Sequence, residues 1–197
     1  MSPRMTAEDR REQVIDAAIG VFARRGFEGA TTAEIASKVG VSQPYLFRLF
    51  PSKKDLFLAA SERNMDDTLG LMRSAAGGKT GHEAMHVMAE AYQEMLESNR
   101  DWLLMMLQSF AACHDEDVQR QTRKCLQQLW REVESLTGLP VVDRMLFFAK
   151  GFLCNVMAAA TPAGVGDSVR EEIVAAMKED SGMECGPEAG PEEMLAD

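Results

Sequence analysis

The sequence predicts an all-α protein of about nine helices, in which a three-helix head precedes a larger helical body. Apolar residues recur at helical spacing along most of the 197 residues, and Gly and Pro are concentrated where these segments end. Hydrophobic residues make up 46% of the chain, which is enough to form a packed core. We therefore expect a head at residues 1–51, a body at residues 52–178 and an acidic tail at residues 179–197, whose composition predicts disorder.

The first predicted helix begins after Thr6, which forms a capping pair with Asp9. Its apolar side chains follow one stripe, and Gly26 closes it because glycine adopts a left-handed conformation without strain. The predicted head core consists of Ile15, Phe22, Phe27, Ile35, Val39, Val41, Leu46 and Phe50.

The next stretch reads TTAEIASKVGVSQPYLFRLF and predicts two short helices joined by a tight turn. Thr31 with Glu34 forms a capping box for the first helix, and Gly40 suits its left-handed end. Ser42 caps the second helix, and Pro44 falls in its first turn, where no helical hydrogen bond is lost. This pattern is typical of a helix-turn-helix, although an ordinary hairpin in an all-α core remains an alternative.

A longer helix follows, from Ser52 to about Ser74, with Ser52 and Asp55 as its capping pair. Lys53 and Lys54 stand in its first turn, where a positive charge opposes the helix dipole. An external anion such as a phosphate explains their presence there.

The body is predicted to contain five more helices. They cover residues 82–96, 102–112, 115–136, 141–160 and 168–178. The helix at 141–160 is apolar on almost every side, so it must be covered on more than one face.

Charge is distributed unevenly along the chain, whose net charge is −10. Residues 1–65 hold ten basic against eight acidic side chains, and the remainder holds 11 against 23. A mildly basic head on an acidic body favours local contact with phosphates over general binding to polyanions.

The stretch GVSQPYLFRLFPSKKDLF, preceded by GFEGATTAEIA, resembles the TetR family of bacterial one-component transcription regulators. The resemblance covers Arg11 to about Leu58, roughly the first third of the chain. The family usually has tyrosine and histidine where this chain has Phe47 and Leu49. Phe47 cannot make the tyrosine's usual hydroxyl contact to a phosphate, and Tyr45 is the candidate to replace it.

The resemblance implies that the second helix of the motif enters the major groove of double-stranded DNA. The residues it places at the DNA are Thr31, Thr32, Ser42, Gln43, Pro44, Tyr45, Phe47, Arg48 and Lys53. Glutamine suits adenine and arginine suits guanine by bidentate geometry, although each position could instead be a solvated surface residue.

The resemblance also implies an effector pocket in the body and a homodimer. Methionine is abundant, with 14 in the chain, and this flexible side chain is common at adaptable binding surfaces as well as in cores. The predicted pocket residues are Met72, Met88, Tyr92, Met95, Trp102, Met105, Met106, Phe110, Leu126, Trp130 and Phe148. The predicted dimer interface comprises Phe147, Gly151, Phe152, Val156, Ile173 and Met177, where two copies would form a four-helix bundle.

Other chemistry is weakly supported by the sequence. His82 and His86 are spaced like two metal ligands, and Cys113-His114-Asp115 is a second weak candidate, but neither has further ligands at motif spacing. Cys113 and Cys125 are candidate oxidant sensors, although buried cysteine is the commoner state. We expect no cofactor, no metal and no enzymatic activity. The polar N-terminus and unpaired cysteines predict a cytoplasmic protein.

These observations predict a ligand-responsive, homodimeric transcription repressor that a small apolar effector releases from a palindromic operator. Two alternatives remain open: a DNA-binding dimer without small-molecule sensing, and an all-α carrier or enzyme whose hairpin is structural.

Overall fold

A computed structural model describes residues 6–161 and 168–180, without the side chains of residues 170, 174 and 177–180. Every regular element in these residues is an α-helix, which confirms the all-α prediction. The nine helices are α1 Ala7–Gly29, α2 Thr32–Val39, α3 Gln43–Leu49, α4 Lys53–Ala76, α5 Gly81–Ser98, α6 Arg100–Ala111, α7 Glu116–Thr137, α8 Val141–Ala160 and α9 Ser168–Asp180.

Helix ends follow the predicted caps to within a few residues. Thr6 and Asp9 form a complete capping box, and the side chain of Ser42 accepts a hydrogen bond from the Tyr45 amide. Half of the predicted box at α2 is missing. Thr31 accepts from the Glu34 amide, but the Glu34 carboxylate lies 3.8 Å from Nε of Arg25.

Gly26 interrupts α1 with φ 70° and ψ 175°, so the regular helix ends where the sequence predicts. One further turn, held by the Ala30 amide on the Gly26 carbonyl, leads into α2. At the other end of the chain, α9 continues to Asp180, two residues past its predicted end. The predicted disordered tail therefore begins inside a helix, and residues 181–197 lie outside the described residues.

The head core forms as predicted but is not separate from the body. Ile15, Phe22, Ile35, Leu46 and Phe50 are buried, and Phe27, Val39 and Val41 pack against them. The same cluster includes Met105 of α6, Ala112 after it and Val118 of α7. The three-helix head is therefore anchored on the body through a continuous apolar core.

Two smaller apolar clusters hold the body together. One joins α4, α5 and α7 around Met72, Met88 and Val133, and the other joins α5, α6 and α8 around Leu96, Leu103 and Cys154. The space between these clusters is the cavity described below.

Candidate DNA-binding head and ligand cavity

Helix α3 presents a mixed polar and aromatic surface. Gln43, Pro44, Phe47 and Arg48 are exposed, and Tyr45 is half-buried. Arg48 holds its guanidinium 5.8 Å from the centre of the Tyr45 ring. The exposed phenyl ring of Phe47 offers an apolar surface of the kind that contacts a thymine methyl group.

The two threonines at the start of α2 occupy different environments. Thr31 is an exposed cap, whereas Thr32 is buried. Its hydroxyl accepts a hydrogen bond at 2.8 Å from Nε2 of Gln43, so Thr32 can affect a DNA contact only through that residue. Sequence spacing alone does not reveal this pair, which lies across the turn between two helices.

The two lysines of α4 also differ. Lys53 donates to the Glu28 carbonyl at 3.1 Å and lies 5.0 Å from the centre of the Phe27 ring. Lys54 binds the carboxylates of Asp115 and Asp117 at 3.2 and 2.7 Å. The anion predicted beside Lys54 is therefore supplied by the body of the protein rather than by an external phosphate.

The body encloses a cavity of about 860 Å³ between α4, α5, α6, α7 and α8. Six of the predicted pocket residues line it: Met72, Tyr92, Met106, Phe110, Leu126 and Phe148. The other five do not. Met88, Met105 and Trp102 are buried in the apolar clusters, and Met95 packs against one of these clusters. The centre of the Trp130 ring lies 5.2 Å from that of Phe148.

The polar residues of this cavity were not predicted from the sequence. Asn64 of α4, Ser109 of α6 and Asn155 of α8 are buried and line it. Tyr92 donates a hydrogen bond to Oδ1 of Asn155 at 2.8 Å, and burial raises the pKa of the tyrosine above its ordinary value. Asn64 and Asn155 are polar residues on otherwise apolar helix faces. This break in the apolar pattern is the feature of the sequence that could have identified them.

Two histidines of α5 and one cysteine of α7 lie at the cavity. His82 and His86 are exposed and line the cavity, and Nε2 of His86 lies 3.4 Å from Oε1 of Glu90. Cys125 also lines the cavity, and burial raises the pKa of its thiol. Within the described residues, no three His, Cys, Asp or Glu side chains are arranged to hold a metal ion.

Helix α8 carries an exposed apolar stripe, and at one edge of it Phe152 also packs on Phe110 and lines the cavity. The stripe, defined as Val142, Met145, Ala149, Phe152, Leu153 and Val156, is exposed along the length of the helix. Phe147 and Gly151 were predicted at the dimer interface, but they lie on the opposite side of α8 and line the cavity. Ile173 is half-buried on α9, and the side chain of Met177 lies outside the described residues.

Residues 14–60 match the family model described as bacterial regulatory proteins, tetR family. A curated relative, the HTH-type transcriptional activator FasR of Mycolicibacterium smegmatis, is 35% identical over 95 residues, which cover 48% of this chain and 43% of the relative. A second, the nucleoid occlusion factor SlmA of Haemophilus ducreyi, is 35% identical over 91 residues, so the chain matches less than half the length of these curated relatives.

Solved structures share the fold over most of the chain. A TetR-like transcriptional regulator from Rhodococcus sp. RHA1 has a TM-score of 0.68 at 20% identity, covering 91% of this chain and 100% of that one. FadR from Bacillus subtilis, solved in complex with stearoyl-CoA, has a TM-score of 0.67 at 17% identity, covering 84% and 96%. No helix among the described residues is long and apolar enough to cross a membrane. Residues 14–60 thus match the tetR family of bacterial regulatory proteins, and the chain as a whole shares the fold of a solved TetR-like transcriptional regulator.

Proposed function

We propose that this protein is a homodimeric transcription repressor that leaves its operator DNA when a small molecule binds in the body cavity. The observation that carries the proposal is the position of α6 between the cavity and the head. Met106, Ser109 and Phe110 line the cavity, whereas Met105 of the same helix belongs to the head core.

Polar contacts join the same two regions. Arg24 of α1 binds Asp101 at the start of α6 with distances of 3.0 and 2.7 Å. Beyond the end of α6, Nε2 of His114 lies 3.3 Å from Oε1 of Glu28. A ligand that displaces α6 would therefore shift α1, and with it the helix-turn-helix.

The exposed apolar stripe on α8 supports a dimer, because monomeric proteins rarely leave such a surface uncovered. A twofold dimer presents two α3 helices to successive major grooves of a palindromic site. A ligand that favours the body conformation with the wrong head separation would release the DNA, and such couplings are typically about 1–3 kcal/mol. This role places the protein in the cytoplasm with the DNA.

The test is binding of the full chain to DNA fragments from around its own gene, across a salt series. We expect one fragment to be retained specifically, with affinity that falls steeply as salt rises, because phosphate contacts release counterions. Equal, weak binding to all fragments would exclude the proposal. Specific binding that no cavity ligand changes would favour the DNA-binding dimer without sensing, and a reporter gene that rises with the protein would identify an activator.

A further inference from the structure

We infer that the cavity selects an uncharged, elongated, apolar molecule whose carbonyl-type oxygen accepts a hydrogen bond from Nδ2 of Asn155. This inference rests on the proposed function and names the chemical class of its effector. Three features of the cavity support it: its extent along its wall helices, the charges along its lining and one buried amide.

The cavity extends along about three turns of two of its wall helices. Its lining on α4 runs from Ser61 to Met72 and its lining on α5 from His82 to Gln93. The eleven residue-to-residue steps between the ends of each stretch correspond to about 16 Å. The volume of about 860 Å³ lies toward the upper end of small-molecule sites, which span roughly 300–1,000 Å³.

The charges along the lining disfavour an anion. Among the described lining residues, Lys150 is the one Lys or Arg, and the carboxylates of Glu90 and Asp143 oppose it. With His82 and His86 neutral, the pyrophosphate and 3′-phosphate of coenzyme A would meet more negative than positive charge here. A free carboxylate at the buried end would lose its hydration without a compensating cation.

The buried end offers neutral hydrogen-bonding groups instead. Asn155 is 2% exposed, and its Oδ1 is occupied by the Tyr92 hydroxyl at 2.8 Å. That bond directs Nδ2 away from Tyr92 Oη, and the contact recorded for Nδ2 is a weak one, 3.9 Å from the Met106 sulfur. The oxygen of a ketone, ester or amide ligand is a much stronger acceptor than a thioether sulfur. With such a ligand bound, both Oδ1 and Nδ2 of Asn155 have a hydrogen-bond partner.

The test uses three probes with one alkyl chain: methyl dodecanoate, sodium dodecanoate and dodecanoyl-coenzyme A. Their dissociation constants for the DNA-free full-length protein are measured by calorimetry below the micellar concentration. We expect the ester to bind at least about tenfold more tightly than either anion. Glu90→Lys should narrow this gap by tightening dodecanoate binding. Equal or tighter binding of either anion, or no binding of any probe, would overturn the inference.

The role of Asn155 is tested separately. Asn155→Leu should weaken the ester by about fivefold to tenfold, the loss expected for one hydrogen bond. The double variant Tyr92→Phe/Asn155→Leu also removes the tyrosine hydroxyl, which Asn155→Leu alone leaves without its acceptor. It replaces the single variant in the binding measurement if that variant folds poorly. Gln127→Leu, which also replaces a side-chain amide by leucine but on the exposed face of α7, should leave ester binding unchanged. Unchanged ester binding in both cavity variants would exclude Asn155 as the donor.

The proposed function and the proposed effector class are tested by different measurements. Retention of operator DNA by the ligand-free protein tests the proposed function, and the probe series without DNA tests the effector class. Loss of specific DNA retention would remove the regulatory role and leave the ligand preference standing.

Discussion

Gln43 on α3 donates a hydrogen bond from Nε2 to Oγ1 of Thr32 on α2, at 2.8 Å. Thr32 is 8% exposed while Gln43 is exposed, so a buried hydroxyl fixes the orientation of a surface amide. The second N–H of Nε2 and the Oε1 atom remain available. These are the two groups with which glutamine reads an adenine edge.

We predict that Thr32→Val lowers the preference for the operator over a fragment with the contacted base pair replaced, by about threefold to tenfold. A good bidentate contact contributes about 1–3 kcal/mol of discrimination, and an amide free to rotate loses part of it. The measurement is the ratio of the two dissociation constants at one salt concentration. Thr32→Ser keeps the hydroxyl and should keep the preference. A Thr32→Val protein with an unchanged ratio would show that Gln43 needs no such support.

Local sequence signals identify the helices of this protein well because caps, glycines and apolar stripes act within a few residues. The Thr6–Asp9 box, the Ser42 cap and the left-handed Gly40 are all found where the sequence predicts them. The cavity is harder to predict because its walls come from five helices. Even two consecutive methionines can lie in different environments. Met106 lines the cavity, whereas Met105, one residue earlier, is packed in the head core.

The orientation of α8 is equally hard to predict from the sequence. A helix that is apolar all round gives no indication of which stripe faces the core, and Phe147 and Gly151, predicted at the dimer interface, line the cavity instead. Long-range ion pairs are likewise invisible in the sequence. Lys54 stands 61 residues before Asp115 in the chain, and only the folded structure brings them together.

Two glycines provide a matched test of the turn in the helix-turn-helix. Gly40 ends α2 at φ 73°, and a Cβ atom added there would meet nothing within 4 Å. Gly40→Ala should therefore lower the free energy of unfolding by about 1–2 kcal/mol through backbone strain alone. Gly70, in the middle of α4, is also in open space, and Gly70→Ala should raise it by about 0.5–1 kcal/mol. Urea denaturation at one fixed protein concentration measures both, and equal effects would contradict the assigned conformation of Gly40.

The ion pairs of Lys54 predict acid sensitivity. Hydrogen bonds from Lys54, and then from Arg120, hold the pKa of Asp117 below its ordinary value of 3.8. The unfolded chain therefore binds the proton more readily, so this stabilisation is fully present above pH 3.8 and is lost as the pH falls through the lowered pKa. Asp117→Asn should show a smaller fall of the urea midpoint between about pH 5 and pH 3 than the parent protein. Glu94→Gln, at an exposed carboxylate of α5, is the control and should behave like the parent.

We expect the ion pair between Arg24 and Asp101 to matter more for the effect of ligand on DNA binding than for the stability of the fold. Both side chains are about half exposed, so Asp101→Ala should change the free energy of unfolding by less than about 1 kcal/mol. The effect of a saturating effector on the DNA dissociation constant should fall by about twofold to thirtyfold, because the pair links α1 to the cavity-lining helix. Arg73→Ala removes a comparable pair with Glu132 between α4 and α7 and should leave the effector response largely intact. Equal loss of response in both variants would argue against a special role for α6.

The stripe on α8 predicts where the dimer forms. Val156 is 57% exposed, so Val156→Glu costs little in a monomer, but in a twofold interface it places two carboxylates against apolar surface. We expect light scattering on a size-exclusion column to change from dimer to monomer, with helical circular dichroism retained.

Specific DNA affinity should fall together with the dimer, because one head alone reads only a half-site. Gln128→Glu adds the same charge to the exposed face of α7 and should leave the mass unchanged. A stable interface buries about 1,200–2,000 Å², and a single buried charge at its centre is expected to disrupt it. A Val156→Glu protein that remains dimeric would place the interface on another surface, and the exposed stripe would then require a different partner.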